Sequence, residues 1–148
     1  TFVAKQRNIA PEKLDVIMNK QSGLLGICGR NDLRDVHEAR ANGDEMAQLA
    51  IEMFIYRIQK YLGAYYAVLG RVDALVFTAG IGENDHLTRA AVCQGLEHMG
   101  FKLDVAANAA PGRGTRRVST PDSPTAIYVV PTDEELEIAQ LTQALVAG

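Results

Sequence analysis

The chemistry in this chain concentrates in one stretch, Val76-Phe77-Thr78-Ala79-Gly80-Ile81-Gly82-Glu83-Asn84-Asp85. The run Asp73 to Phe77 is apolar after its first residue, with branched and aromatic members, and predicts a buried strand. Gly80 and Gly82 then leave the backbone bare, so a polyanion could approach its N–H groups closely. Asn84 or Asp85 suits the cap of a following helix, whose first turn carries N–H donors and about half a positive charge. Strand, glycine turn and helix start are together the architecture of a phosphate-binding loop. The pattern G-x-G-x-x-D lacks the third glycine of the dinucleotide fingerprint, and no Gly-Lys-Ser/Thr follows to make a Walker A loop. From these residues alone, a tight strand-to-helix turn without a ligand stands beside the phosphate cradle as an open alternative.

A second polar segment, Pro131-Thr132-Asp133-Glu134-Glu135, follows another apolar run, Ala126 to Val130. Thr132 with Glu135 three residues on reads as a capping box, worth about 1 kcal/mol. That leaves Glu134 free to point at the rim of a sheet. If the two strands are parallel neighbours, both polar segments lie outside their carboxyl ends, where ligands of open α/β sheets sit.

The elements that must position these residues follow from periodicity. A helix is expected over about Pro11–Asn19, with proline at its first position, and a glycine-punctuated loop over Leu24–Arg34. Met46, Leu49, Ala50, Met53, Phe54, Ile58, Tyr61, Leu62, Tyr65 and Leu69 repeat at three and four, which predicts one long helix over about Asp44–Leu69, with Gly63 marking a close approach or a bend. A helix over Asp85–His98 ends at Gly100, and Phe101–Asp104 is extended. Residues 106–124 read as a surface excursion with an edge strand at Arg117–Ser119 and a solvated face of Arg113, Arg116 and Arg117. The last helix, Asp133–Leu145, should lay Leu136, Ile138, Ala139, Leu141 and Leu145 on the sheet. Strands alternating with helices imply an α/β fold with parallel strands and right-handed crossover connections.

Composition sets the outer bounds. A length of 148 residues and a hydrophobic content of 47% suit a globular chain with a real core. A net charge of −3 gives no basic surface for nucleic acid. No stretch is apolar and long enough for a membrane helix, and no signal peptide opens the chain, so a cytoplasmic protein is expected. Cys28 and Cys93 lack motif spacing and read as buried free thiols; His37, His86 and His98 lack metal-ligand spacing.

The longer string Thr78-Ala79-Gly80-Ile81-Gly82-Glu83-Asn84 resembles the signature loop of the acetate kinase family. Asn19-Lys20-Gln21-Ser22-Gly23-Leu24-Leu25-Gly26, Asn31-Asp32-Leu33-Arg34-Asp35 and Pro131-Thr132-Asp133-Glu134-Glu135-Leu136 are similar to further segments of that family, in the same order. The resemblance implies an actin-like ATPase fold of the ribonuclease-H-like kind, here the C-terminal part, with an incomplete sheet that has one unprotected edge. It implies reversible phosphoryl transfer from ATP to acetate, giving acetyl phosphate and ADP, with propionate or butyrate kinase as alternatives and a stand-alone, non-catalytic nucleotide-binding or interaction domain as a further one. It implies that Gly80, Ile81, Gly82, Glu83 and Asn84 bind the nucleotide and that Asp32, Leu33 and Arg34 form a second nucleotide segment. There, a carboxylate could accept from ribose hydroxyls and a guanidinium could stack on adenine. An ordinary surface ion pair between Asp32 and Arg34 is the alternative. Glu134 matches the magnesium-associated glutamate, consistent with a cation that takes one or two carboxylates plus phosphate oxygens. The family's acyl pocket and catalytic residues fall upstream of Thr1 by resemblance, so none is nominated here and the chain alone is expected to be inactive. A homodimer is implied as well. Arg89, five residues past Asn84, reads as a helix-surface arginine.

Overall fold

Helices dominate the first sixty positions of the computed structural model, which describes residues 2–146. Thr1 lies outside the described residues. The chain divides into two units, residues 1–60 and 61–148.

The first unit carries α1 (Phe2–Arg7), α2 (Pro11–Lys20), α3 (Gly23–Cys28), α4 (Leu33–Ala41) and most of α5 (Glu45–Leu69). Proline opens α2 as its fixed φ favours. The expected loop over Leu24–Arg34 is largely helical instead. Gly29, left-handed at φ 73°, closes α3, and its N–H donates to the Leu25 carbonyl. Asp32 caps α4, which places Leu33 and Arg34 in its first turn. A six-residue helix such as α3 is too short to show periodicity. Asp44 starts α5 by accepting from the N–H groups of Met46 (2.9 Å) and Ala47 (3.0 Å). These bonds and the Arg30 guanidinium hold its carboxyl below the usual range. Leu33, Val36 and Ala39 of α4 and Ala47, Ala50, Ile51 and Ile55 of α5 are buried. Met46, Leu49 and Met53 of the apolar repeat are exposed, because the covered face of α5 is built from alanines and isoleucines. Gly63 produces no break in α5; Gly70, at φ 69°, follows its end.

The second unit contains β1 (Ala74–Phe77), α6 (Ala79–Asn84), α7 (His86–Cys93), a 3₁₀ turn (Glu97–Met99), α8 (Val105–Ala109), β2 (Arg116–Arg117), β3 (Ala126–Val129) and α9 (Glu134–Val146). The three strands lie in the order β1-β3-β2. β1 and β3 are parallel, with Ala74 opposite Ala126 and Phe77 opposite Val129. β2 is antiparallel to β3, so the sheet is mixed rather than purely parallel. The edge strand expected at Arg117–Ser119 is the short β2, followed by the bond from Val118 N–H to the Ile127 carbonyl (2.7 Å).

The core of this unit is Cys93, Phe101, Val118, Ile127 and Val129, with Tyr66, Leu75, Phe77 and Leu96 packed around it. Tyr66 meets Phe101 edge to face, 6.2 Å between ring centroids. Burial pushes the Cys93 thiol up to about 12. In β3, Ile127 and Val129 are buried while Ala126 and Tyr128 are half-buried. Val76 of β1 is 50% exposed, and β1 is an edge strand rather than the buried strand expected. No residue of α9 is buried, so the residues expected to lie on the sheet are exposed. The helix expected over Asp85–His98 ends at Cys93, and a glycine at φ 80°, Gly95, precedes the 3₁₀ turn. Within 106–124, read from the sequence as a surface excursion, Asn108, Val118, Ser119 and Ser123 are buried. No described helix is long and apolar enough to cross a membrane.

Candidate functional site

Two chain segments leave the carboxyl ends of the parallel pair β1 and β3 side by side, and hydrogen bonds join them. The Val130 N–H donates to the Phe77 carbonyl at 2.9 Å. Thr78 Oγ1 donates to the Val130 carbonyl at 2.8 Å. Further out, the Thr132 N–H and Oγ1 both donate to Oε1 of Glu83, at 2.9 and 3.1 Å. The glycine segment and the segment bearing Glu134 thus share one rim of the sheet.

The glycine segment is not the turn expected. It is itself a helix, α6, that starts directly after the strand. The elbow is Ala79, at φ 58°, a left-handed conformation that costs a non-glycine residue about 1–2 kcal/mol. Gly80 and Gly82 are helical and have different tasks. A Cβ on Gly82 would lie 3.0 Å from the Phe77 carbonyl carbon, so the bare backbone there lets α6 close onto the end of β1. A Cβ on Gly80 would meet nothing within 4 Å, so that position faces open space. Asn84 donates its side-chain N–H to the Gly80 carbonyl at 2.9 Å, and Ile81 is 45% exposed. Asp85 caps α7, accepting from the Thr88 N–H (2.9 Å) and from Thr88 Oγ1 (2.6 Å).

The largest departure from the sequence reading is Arg89. Read as a helix-surface residue, it is only 1% exposed. Its guanidinium donates to the carbonyls of Gly82 (2.9 Å) and Glu83 (3.0 Å) at the end of α6, and to Oδ1 (2.7 Å) and the carbonyl (2.9 Å) of Asn108 in α8. A helix end exposes carbonyls with a partial negative charge, and a planar fork of donors answers them. Burial, with the charge of Arg116, draws its pKa below that of an ordinary arginine, against the pull of Asp85. Arg116 acts similarly on the neighbouring turn, donating to the Ala107 carbonyl at 2.9 Å. The signal in the sequence was faint: Arg89 shares a helix face with Val92 and Cys93, at spacings of three and four.

The β3 exit also differs in detail. Asp133, not Thr132, caps α9, accepting from the Leu136 N–H at 2.9 Å, so the expected capping box does not form. Thr132 is instead held by the carboxylate of Glu83, a residue that the resemblance places in the nucleotide segment. Glu134 lies in the first turn of α9 and is exposed. The described residues contain no group of three or more His, Cys, Asp and Glu side chains able to hold a metal ion. An exposed hard-oxygen donor fits magnesium in its phosphate-bound mode, where one or two carboxylates suffice, and does not fit a cation caged by protein alone.

In the first unit, Asp32 and Arg34 form the surface ion pair that stood as the alternative. Arg34 Nε donates to Asp32 Oδ1 at 3.0 Å, and its backbone N–H to the same oxygen at 2.9 Å. The side-chain bond from Arg34 foremost lowers the Asp32 pKa to about 2. The Leu33 side chain is buried, so a ligand at this turn would meet its backbone.

Comparison with known proteins brings this geometry into context. A model of the "Acetokinase family" matches residues 1–140. The chain is 58% identical, over 147 residues, to the acetate kinase of Nitratidesulfovibrio vulgaris, covering 99% of this chain and 37% of that protein. The chain therefore spans little more than a third of the length of the curated relatives it matches, between 35% and 37% of each. Among solved structures, Porphyromonas gingivalis acetate kinase superposes with a TM-score of 0.87 at 42% identity, covering 98% of this chain and 37% of that one. A propionate kinase from Francisella tularensis gives a TM-score of 0.84 at 39% identity, covering 94% of this chain and 35% of that one.

Proposed function

Since this chain belongs to the acetokinase family, we propose that it supplies the nucleotide and magnesium half of reversible phosphoryl transfer from ATP to acetate. The fold in this reading is part of an actin-like, ribonuclease-H-like ATPase domain in a cytoplasmic homodimer. The observation that supports it best is the parallel pair β1–β3, whose carboxyl ends carry Gly80–Asn84 and Glu134 on one rim, joined by Glu83 and Thr132.

In the transfer, a carboxylate oxygen of acetate bonds to the γ-phosphorus as the bond to the β–γ bridging oxygen breaks, giving acetyl phosphate and ADP. Such chemistry depends on positioning and on neutralising charge over the transferring group. The open backbone at Gly80 admits a phosphate chain, Ile81 offers an apolar contact, and Asn84 keeps α6 wound by holding the Gly80 carbonyl. Glu134 would hold magnesium, which when bound neutralises phosphoryl oxygens. Asp32, Leu33 and Arg34 take a nucleotide-binding role in the same reading. The exposed Met46, Leu49, Met53 and Tyr56 of α5 are compatible with contact between two copies. Transfer to propionate is a second reading, favoured by the likeness to the Francisella propionate kinase.

The test is a chimera in which this chain replaces the matching segment of the Nitratidesulfovibrio vulgaris enzyme. Acetyl phosphate formation is expected to persist, and E134A within the chimera is expected to lower magnesium-dependent turnover by at least about tenfold. Unchanged turnover in E134A would remove Glu134 from the site. An inactive but folded chimera would overturn the wider reading. The isolated chain is expected to bind ATP without forming acetyl phosphate.

A further inference from the structure

We propose that Glu83 is a positioning residue: its carboxylate latches the β3–α9 segment to α6 and thereby sets Glu134 relative to the glycine segment. The inference rests on the reading just given, in which the backbone of Gly80–Asn84 serves the nucleotide and Glu134 the metal.

Three features carry it. First, one oxygen of Glu83 receives both the N–H and the hydroxyl of Thr132, at 2.9 and 3.1 Å, across a separation of 49 residues in sequence. A carboxylate accepting two such bonds holds its partner in both direction and register. Second, Glu83 is fixed from behind, because its own carbonyl accepts from the buried Arg89 at 3.0 Å. Third, Thr132 immediately precedes Asp133, the cap of α9, and Glu134 is the first residue of that helix. A displacement of Thr132 is therefore passed along the chain to Glu134 within two residues. No residue of α9 is buried, so packing does not fix the helix start; the bonds at Val130 and, next along the chain, the Glu83–Thr132 pair join this segment to α6 and the end of β1. The family string offers a negative charge beside a phosphate-binding segment, which is awkward for a direct ligand. A carboxylate turned to Thr132 resolves this, since it serves the metal-bearing segment rather than the polyanion.

The experiment compares the parent chain with E83A, E83Q, T132V, E83A/T132V and E134A, each checked for folding by its thermal midpoint. Two readouts are taken: hydrogen exchange at the Thr132 amide, and ATP affinity by calorimetry in magnesium and in EDTA. E83A is expected to speed Thr132 exchange and to weaken ATP binding in magnesium on the order of fivefold, with binding in EDTA held. T132V is expected to act in the same direction more weakly, and the double variant to be no worse than E83A, as coupled residues require. E83Q is expected to recover most of the loss, because its amide oxygen accepts the same two bonds. Unchanged Thr132 exchange in E83A would overturn the latch. Equal losses in magnesium and EDTA with T132V silent would overturn it in favour of direct contact between Glu83 and the nucleotide. Failure of the underlying reading looks different: the parent would not bind ATP, or E134A would leave the magnesium dependence intact, while Thr132 exchange would still decide whether the latch exists.

Discussion

Arg89 Nε donates to Asn108 Oδ1 across 2.7 Å, and Arg89 Nη2 donates to the Asn108 carbonyl at 2.9 Å. The other side of the same guanidinium holds the last carbonyls of α6. One buried cation therefore ties the glycine segment to α8, a helix that the sequence reading had placed on a surface excursion. The Asn108 side chain completes the junction by donating to the His86 carbonyl at 2.9 Å.

Replacing Arg89 should damage the fold before it touches any ligand. R89M leaves the carbonyls of Gly82, Glu83 and Asn108 without their donor, and is expected to cost about 3 kcal/mol. R89K keeps the charge but cannot present a planar fork, and should fall between R89M and the parent. Urea unfolding midpoints of the two variants would check the order; equal stability of parent and R89M would refute the structural role.

The two glycines of α6 should separate cleanly. G82A drives a Cβ against the Phe77 backbone at 3.0 Å, where no flexible side chain can yield. It is expected to destabilise by about 1–3 kcal/mol. G80A meets open space and sits in a helix, where alanine is favoured over glycine by about 1 kcal/mol. Thermal unfolding should therefore rank G80A at or above the parent and G82A below it, while ATP affinity should fall in G80A if the open space admits phosphate.

The Asp32–Arg34 pair makes a pH prediction of definite sign. The folded-state pKa of Asp32, about 2, lies below the ordinary value of 3.8. The pair's contribution is thus present above the unfolded pKa and is lost as pH falls from 3.8 through about 2. Titration of the Asp32 carboxyl by NMR should show the depressed midpoint, and R34Q should return it toward 3.8. A midpoint that does not move in R34Q would show that the pair is not formed in solution.

Much of the frame was legible in one dimension. The runs Asp73–Phe77 and Ala126–Val130 announced β1 and β3, and the three-and-four repeat announced α5, because burial on one side of a strand or helix imposes a period on the chain. The string Thr78–Asn84, with three further segments in the same order, indicated the family. Shorter or unpartnered elements were not legible. α3 and α6, at six residues each, end before a period can show. α9 has an apolar pattern that suggests a covered face, yet no residue of it is buried. A hydrophobic pattern records which face can be covered, not whether a cover is present.

What the sequence determined by itself, then, is local: which segments are strands and long helices, where the bare glycines stand, and which carboxylates follow the strands. What only the tertiary structure decided is which groups meet. Glu83 and Thr132 are joined across 49 positions, and Arg89 reaches Asn108 across 19. The physical reason is that the hydrogen bonds of a buried or latched polar side chain are satisfied by whichever donors and acceptors the fold brings within about 3 Å. No period along the chain encodes that choice, so an arginine that reads as solvated can be a buried tie between α6 and α8, and a glutamate can hold a threonine 49 residues away.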